Sequence, residues 1–215
     1  MGRGGYMSKQ LRLSQAISAK ICHDLSGAVG TIVNCLDLIY GNDVSISKKA
    51  GELVDLESKK LVARIRFLRS TYGLSDGDKD ISLIFLSKLL KDFFHHSNVK
   101  LQLKFEQGMI FLSIDIAKAA MALASIISDS IGSSGTLELS INHKKEKDIE
   151  IAIKAGGKAV HIKDENVEIL TGNKKPLIGV HNCREHYVRD LYSRNGYQLT
   201  VNKEESRIVC EMRRK

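Results

Sequence analysis

The chain has 215 residues, of which 43% are hydrophobic and 27% are charged. This balance provides enough apolar side chains for a core and excludes a wholly disordered chain. The longest mainly apolar stretch, residues 108–131, is interrupted by Asp115, Lys118 and Asp129, so no segment predicts a membrane span. The first ten residues contain no apolar signal-peptide core, and Tyr6 stands where a myristoylation signal requires Ser or Thr. We therefore expect a soluble, cytoplasmic protein that does not bind membranes.

The charge and the cysteines argue against two further classes of protein. The formal net charge of +8 is divided evenly between residues 1–76 and residues 77–215, and the only dense basic cluster is 213–215. Proteins that bind nucleic acid usually concentrate positive charge on one face or arm, so we expect no nucleic-acid partner. The four cysteines are scattered without metal-ligand spacing, which is typical of reduced thiols in a reducing compartment.

Two long amphipathic helices are predicted within residues 1–76. The apolar residues of the first recur at steps of three or four, as on one stripe of a helix that covers residues 8–40. The stripe consists of Ile17, Ile21, Leu25, Ala28, Ile32, Leu36 and Ile39. Gly41 is predicted to end this helix, and Ser45 to cap a second one over residues 46–72. Because the connection is short, the two helices form an antiparallel hairpin.

Residues 77–215 predict a second domain, an α/β sandwich. Alternation of apolar and polar residues is clearest in strands 136–142 and 148–154, which a charged turn connects. The other expected elements are helices at 81–96, 115–131 and 177–194, and strands at 99–105, 109–113, 197–202 and 207–212. Residues 155–176 are expected to be irregular apart from a short helix near Val167. This order indicates helices on one face of a mostly antiparallel sheet.

The apolar stripe of the first helix is wider than one partner helix can cover. Monomeric soluble proteins rarely leave such a large apolar patch exposed. We therefore expect two chains to pair their hairpins in a four-helix bundle, which makes the protein a homodimer. The alternative is that residues 77–215 pack along the hairpin and cover the stripe.

His23 is the candidate functional residue of the first helix. It lies two positions from both Ile21 and Leu25, and such a residue faces away from the buried stripe toward solvent. Asp24 follows it directly. The other residues that share the His23 face are mostly small, namely Ala19, Lys20, Ser26, Gly27, Gly30, Thr31 and Asn34.

Two glycines on this face require a reason, because each costs about 1 kcal/mol relative to alanine inside a helix. Close approach of another macromolecule to His23 would provide one. On these residues alone, the alternative is an ordinary surface histidine, with glycines that relieve packing elsewhere.

An exposed histidine beside a carboxylate has a definite chemistry. A neutral imidazole nitrogen is nucleophilic near neutral pH and can carry a phosphoryl group as a phosphoramidate. The adjacent Asp24 carboxylate can orient the ring or help to manage its proton. An exposed position suits a nucleophile that must enter the active site of another protein.

These features resemble the ChpT-type histidine phosphotransferases of alphaproteobacteria. The segment Ala19–Asp24, A-K-I-C-H-D, is similar to their A-x-x-x-C-H-D phosphoacceptor helix, with the alanine one position nearer to C-H-D, and a similar L-D-L follows at Leu36–Leu38. The resemblance covers essentially the whole chain. It implies a dimerisation and phosphotransfer domain in residues 1–76 and, in residues 77–215, a domain that resembles a degenerate ATP-binding domain of a sensor histidine kinase.

The resemblance also implies that the second domain has lost its nucleotide chemistry. Kinases have two asparagines four residues apart where this chain has Ser125 and Asp129, and an adenine-binding aspartate where it has Lys154. A lysine cannot accept a hydrogen bond from the adenine amino group. The glycine-rich lid motif is reduced to L-I-G-V at Leu177–Val180. We expect no ATP binding and no autokinase activity, although Asp129 could still hold a metal ion.

Membership of this family would make the protein a phosphorelay intermediate. The resemblance implies that His23 accepts a phosphoryl group from the receiver domain of a hybrid histidine kinase and passes it to response regulators of CtrA-type cell-cycle pathways. Asp24 would orient the imidazole or handle its proton. The expected contacts with the receiver are Lys20, Ser26, Gly27, Gly30, Thr31 and Asn34.

No cofactor of its own is expected, because the receiver supplies the phosphorylated aspartate and its magnesium. Two alternatives remain open at this point. One is a non-catalytic dimeric docking scaffold or inhibitor of a two-component system, and the other is an active kinase with divergent motifs.

Overall fold

The computed structural model describes residues 8–41, 43–74, 80–145 and 148–215. Its helices are α1 (Lys9–Ile39), α2 (Val44–Tyr72), α3 (Leu83–Phe94), α4 (Ile114–Ser128), α5 (Asp164–Thr171) and α6 (Cys183–Arg194). Its strands are β1 (Asp80–Ser82), β2 (Val99–Phe105), β3 (Phe111–Ser113), β4 (Gly135–Lys145), β5 (Asp148–Gly157), β6 (Tyr197–Glu204) and β7 (Arg207–Arg214). The predicted fold class, a two-helix hairpin followed by an α/β sandwich, is confirmed. The predicted domain boundary at residues 76 and 77 lies outside the described residues, as do the first seven residues.

The helices of the hairpin are capped by polar side chains. Ser8 caps α1 by accepting a hydrogen bond from the Leu11 backbone N–H at 3.2 Å. The prediction of Ser45 as the cap of α2 is wrong, because the Asp43 carboxylate accepts from the N–H groups of Ser45 and Ile46 at 2.9 and 3.1 Å. A carboxylate at this position also stabilises the positive end of the helix dipole, so α2 begins two residues earlier than expected.

A five-stranded sheet in the order β2-β4-β5-β7-β6 forms the centre of the second domain. β2 pairs with β4 in parallel and the other pairs are antiparallel, which confirms the mostly antiparallel sheet. Alternate residues of the two central strands are buried against the helices, among them Leu137, Leu139 and Ile153. α4 lies at the middle of this core and is buried over most of its surface.

One short helix agrees with the sequence prediction and two other elements differ from it. α5 is the short helix expected near Val167, and it buries Ile169 and Leu170 among charged neighbours. The short strand β1, which pairs with β3, was not predicted, because three residues are too few to show an alternating pattern. α6 begins at Cys183 rather than at Leu177, because residues 177–182 form an irregular loop after Pro176.

The second domain contacts one end of the hairpin. Phe67 of α2 stacks on Phe93 of α3 with ring centroids 4.0 Å apart. At the first turns of α1, Ala16 packs in a small buried cluster with Ile178 and Cys183, and the Arg12 Nε donates to the Ile178 carbonyl at 2.8 Å. The expected alternative, in which the second domain packs along the hairpin, therefore holds for this end of α1.

The apolar stripe is only partly covered in the single chain. None of its seven predicted residues is buried, and Leu36 keeps 38% of its surface exposed. Val29, Val33 and Ile65 are also exposed nearby. Within the described ranges, no helix combines the length and apolar character needed to cross a membrane.

Candidate functional site at His23

His23 projects from the middle of α1 into solvent, as its position between the stripe residues predicts. Its side chain is 82% exposed, and its Nδ1 lies 3.3 Å from Oδ1 of Asp24. Because an ionised carboxylate can only accept, Nδ1 carries the proton of this hydrogen bond. Among the described residues Nε2 contacts no hydrogen-bond partner, so the arrangement presents Nε2 as the nucleophilic nitrogen.

The Asp24 carboxylate, which accepts from His23, is also held by Lys20, one helical turn earlier on α1. The Lys20 ammonium lies 2.6 Å from Asp24 Oδ1, and both side chains are partly buried. Partial burial raises the pKa of Asp24, but hydrogen bonds from Lys20 and His23 and the charges of Lys20 and Arg184 outweigh it and lower this pKa below its ordinary value. The carboxylate therefore stays ionised and keeps accepting from His23.

The two glycines beside His23 leave open space. No atom of the described residues lies within 4 Å of a Cβ placed at Gly27 or Gly30. This observation disfavours the alternative that they relieve packing within the chain. Thr31 turns its hydroxyl back to the Gly27 carbonyl at 3.1 Å, which keeps this side chain close to the helix. The side chains around His23 therefore project little from the helix, and this face is exposed to solvent.

The other predicted contact residues divide between two faces. Ser26 and Asn34 are exposed beside the glycines. Lys20 instead points toward the second domain, where its ion pair with Asp24 forms part of a cavity wall. The structure thus brings five of the six predicted contact residues onto the His23 surface and places Lys20 behind it.

This cavity has a volume of about 200 Å³ and lies between the hairpin and the second domain. α1 contributes Lys20 and Asp24 to its lining, α4 contributes Ser125 and Asp129, and the charged side chains of Arg64 and Arg184 complete it. The Arg64 guanidinium also donates to the Asp24 backbone carbonyl at 3.4 Å. Asp24, the neighbour of His23, thus faces charged groups of the second domain across a cavity that apolar residues such as Ile21 and Phe93 also line.

The position that binds magnesium and ATP in kinases holds an internal ion pair here. Asp129, which the sequence left open as a metal ligand, pairs with Arg184 at 2.7 Å, and the same guanidinium donates to the Ser125 hydroxyl at 3.3 Å. Lys154 lies on the opposite face of the sheet, 3.5 Å from Glu138. In the part of the chain that the structure describes, no group of three His, Cys, Asp or Glu residues is placed to hold a metal ion.

The remnant of the lid motif has a structural task. Leu177–Val180 forms part of the loop before α6, and its Ile178 is buried against Ala16 of α1. Asn182 fixes this loop by accepting from the Gly179 N–H at 2.9 Å and donating to the Leu177 carbonyl at 3.2 Å. The loop that would close over a nucleotide in a kinase thus anchors the hairpin.

Sequence reasoning missed Arg184 as a residue of the site. It lies 160 positions after Asp24, inside a segment predicted as an ordinary helix, and no local pattern relates the two residues. The only usable signal was its residue type. An arginine close to a lost magnesium site could replace the positive charge of the missing ion.

The whole fold matches solved proteins. A bacterial phosphotransferase superposes with a TM-score of 0.84 at 19% identity, over 97% of this chain and 98% of that one. A histidine kinase domain of the blue-light-activated kinase EL346 from Erythrobacter litoralis superposes with a TM-score of 0.51 at 14% identity, over 87% and 93% of the two chains. A comparison with curated proteins found no significant match.

The sequence itself matches a family model. Residues 86–207 match the model described as the histidine phosphotransferase C-terminal domain. This segment includes strands β2 to β6, α4 and the Arg184–Asp129 pair. Together with the histidine-kinase-like fold, it supports a role in phosphoryl transfer. Because the match spans more than half of the chain, the protein belongs to the histidine phosphotransferase C-terminal domain family.

Proposed function

We propose that this protein is a ChpT-type histidine phosphotransferase of a multistep phosphorelay. It accepts a phosphoryl group from the receiver aspartate of a hybrid histidine kinase onto His23 and passes it to response regulators of CtrA-type pathways. The observation that carries this proposal is the exposed His23 imidazole, whose Nδ1 is bound to Asp24 and whose Nε2 faces an open, glycine-lined surface.

The transfer is an in-line displacement at phosphorus. Nε2 of His23 attacks the aspartyl phosphate, the P–N bond forms, and the P–O bond to the receiver aspartate breaks and leaves its carboxylate. The imidazole becomes positively charged, with its proton on Nδ1, and the adjacent Asp24 carboxylate stabilises that charge. The receiver supplies the magnesium ion of this reaction. Transfer to a response regulator is the same reaction in reverse.

The small side chains around His23 suit a receiver that must approach α1 closely. In-line attack places Nε2 about 3 Å from phosphorus, so the receiver surface has to lie against α1 itself. Gly27 and Gly30 provide that clearance, and Ser26 and Asn34 are exposed beside them for polar contacts. This chain contributes the position of the His23 imidazole and the placement of its proton on Nδ1.

ATP plays no part in the proposed reaction. The Arg184 guanidinium occupies the side of α4 where kinases bind the nucleotide metal, and it neutralises Asp129 at 2.7 Å. Lys154, which the resemblance aligns with the adenine-binding aspartate of kinases, points away from α4 and pairs with Glu138. The phosphoryl group therefore has to come from another protein, which agrees with the exposed position of His23.

The proposed functional unit is a homodimer. Of the seven stripe residues of α1, Leu36 is exposed and the other six are only half-buried in one chain, and an open groove of about 770 Å³ runs beside Ile21, Leu25 and Ile65. A second hairpin packed in a four-helix bundle would cover this apolar surface and leave His23 on the outside.

The test uses a receiver domain phosphorylated with radiolabelled phosphate and incubated with the full chain. Wild-type protein should become labelled, and His23→Ala should accept no label while it keeps its helical content and its mass in solution. His95→Ala, an exposed histidine at the end of α3, is the matched control and should be labelled normally.

Three other outcomes would contradict the proposal. Undiminished labelling of His23→Ala would place the acceptor elsewhere. Binding of the receiver without any labelling of the wild type would indicate a docking scaffold or inhibitor. Labelling from ATP alone would indicate a kinase with divergent motifs.

A further inference from the structure

The cavity behind His23 joins three elements that are distant in sequence. Lys20 and Asp24 enter it from α1, Asp129 from α4 and Arg184 from α6. Arg184 is the buried member on the second domain's side, since its side chain is 20% exposed whereas Asp129 is 60% exposed. A partly buried guanidinium needs fixed partners, so its place in this cavity is a specific feature of the fold.

Two contacts fix the direction of Arg184. Its Nη1 lies 2.7 Å from Asp129 Oδ2 and 3.3 Å from the Ser125 hydroxyl oxygen. Ser125 and Asp129 are one helical turn apart on α4, so both partners present the same face to the guanidinium. Since α4 is otherwise buried in the core, it is a rigid base for this pair. The positive charge of Arg184 is therefore held at one position facing α1.

On the opposite wall, Asp24 lies between two positive charges and a histidine. Lys20 contacts its Oδ1 directly, and the charge of Arg184 also contributes to the low pKa of Asp24. Arg64 fixes the backbone of the same residue through its carbonyl. The carboxylate is thus drawn toward the cavity, and from there its Oδ1 accepts from Nδ1 of His23.

We propose that Arg184 is a positioning residue of the phosphotransfer site. Braced by Asp129 and Ser125, it holds the Asp24 carboxylate in the orientation that keeps the proton of His23 on Nδ1 and leaves Nε2 to attack phosphorus. This inference rests on the proposed function of His23 as phosphoacceptor. It assigns a task to the second domain, whose Arg184, held by its ion pair with Asp129, faces Asp24 across the cavity and so influences the reactivity of a histidine on the other domain.

The physical basis is the dependence of the imidazole tautomer on its hydrogen-bond partner. The nitrogen that lacks the proton is the nucleophile, and the hydrogen bond of the other nitrogen decides which one it is. Without the attraction of Arg184, the Asp24 carboxylate is restrained by Lys20 alone and can turn away from Nδ1. The two tautomers of His23 would then mix, and the fraction of His23 ready for attack would fall.

The experiment compares substitutions on both sides of the ion pair. Arg184→Ala should lower the rate of phosphotransfer from a labelled receiver by about tenfold to a hundredfold, the range expected when a reacting group is misplaced. Arg184→Lys keeps the charge and should restore much of the rate. Arg189→Ala is the matched control, because this arginine of the same helix donates to the Lys174 carbonyl away from the cavity and its loss should leave the rate unchanged.

A spectroscopic measurement separates positioning from a merely structural role. The ¹⁵N signals of the His23 ring, recorded on the full chain at fixed pH, should show Nδ1 protonated in the wild type and mixed tautomers in Arg184→Ala. Asp129→Asn loosens the arginine without removing it, and it should shift the same signals in the same direction. Arg184→Ala leaves only the largely exposed Asp129 without its partner, and Asp129→Asn keeps an amide oxygen that can accept a hydrogen bond from Arg184, so both variants should fold.

Two results would overturn the inference and leave the proposed function intact. One is wild-type transfer by Arg184→Ala while His23→Ala accepts no label. The other is slow transfer with unchanged His23 signals, which would mean that Arg184 contacts the receiver instead. Normal labelling of His23→Ala would overturn the proposed function itself.

Discussion

Two helices of this protein, α1 in the hairpin and α4 in the α/β domain, bury their residues very differently. α1 has 31 residues and buries only Ala16 and Cys35, whereas α4 has 15 residues and buries eleven of them. Both carry apolar residues at helical spacing. The difference shows that the surface of α4 is covered within one chain, whereas most of the surface of α1 is not; in the proposed function, α1 uses one face for a second copy and another for the receiver.

The largest expected effect is a difference in stability between the two regions. Leu139→Ala in β4 removes a fully buried side chain and should lower the free energy of unfolding by about 2–5 kcal/mol. Leu38→Ala, the matched change at a position of α1 that is 52% exposed, should cost less than about 1 kcal/mol. Urea unfolding monitored by circular dichroism measures both. Equal losses would mean that the hairpin has a closed core of its own.

The second effect is on phosphotransfer and concerns the clearance beside His23. Gly30→Arg should leave the melting temperature unchanged or raise it, because its Cβ enters open space, yet slow transfer by at least about a hundredfold, or 2.7 kcal/mol. The bulky side chain would hold the receiver away from Nε2. Gly27→Leu should act in the same way.

Gly51→Arg is the control for this effect, since a Cβ at this glycine of α2 also meets open space. It should transfer at the wild-type rate. If Gly30→Arg unfolds the protein, the glycine serves packing. If it transfers normally, the receiver docks on another surface.

The third effect is on assembly. Light scattering at micromolar concentration should give a mass near twice 23.9 kDa for the wild type. Leu36→Glu places a carboxylate on the uncovered stripe and should raise the dissociation constant of the dimer at least about tenfold, or 1.4 kcal/mol. Leu38→Glu, on the other side of α1, should dimerise normally. A monomeric wild type would show that the stripe does not bind a second copy.

The smallest effect compares two glycines. Gly27→Ala should raise the free energy of unfolding by up to about 1 kcal/mol, because alanine is the better helix former and no atom of the described residues obstructs its Cβ. Gly135→Ala in β4 should lower it, because the new Cβ would lie 2.4 Å from the Gly156 carbonyl oxygen. Thermal unfolding of both variants tests the contrast, and a destabilising Gly27→Ala would contradict the open-face interpretation.

The sequence predicted those parts of the site that local periodicity determines. The 3.6-residue period of α1 places His23 opposite the stripe, and the structure confirms its exposure. The same period puts Gly27 and Gly30 beside it. The long alternating strands β4 and β5 were equally clear, because each one extends over ten or more residues.

The parts that the sequence could not predict depend on contacts between distant residues. Arg184 reaches Asp129 and the cavity behind Asp24 only because α6 packs on α4 at the end of the hairpin. Lys20 was assigned to the receiver surface because it shares a helical face with His23, but its ion pair with Asp24 turns it toward the second domain. Helical periodicity gives the direction of a residue and not the partner that attracts its side chain.

The loop at residues 177–182 has a consequence for how the molecule meets its partners. A kinase that phosphorylates its own histidine has to carry ATP to it, and so its nucleotide-binding domain must move during each reaction cycle. Here Ile178 and the Arg12 hydrogen bond fasten the corresponding loop to α1. In the proposed reaction the phosphoryl group arrives from another protein, so no such movement is required.

Such a molecule can work as a rigid body. In the proposed function its histidine, carboxylate and glycine surface keep one arrangement before and after the receiver binds, so association costs little conformational entropy. The expected loss of nucleotide binding and the fixed presentation of His23 would then be two results of the same change. A reversion that freed the loop for ATP would also release the helix that carries the phosphoacceptor.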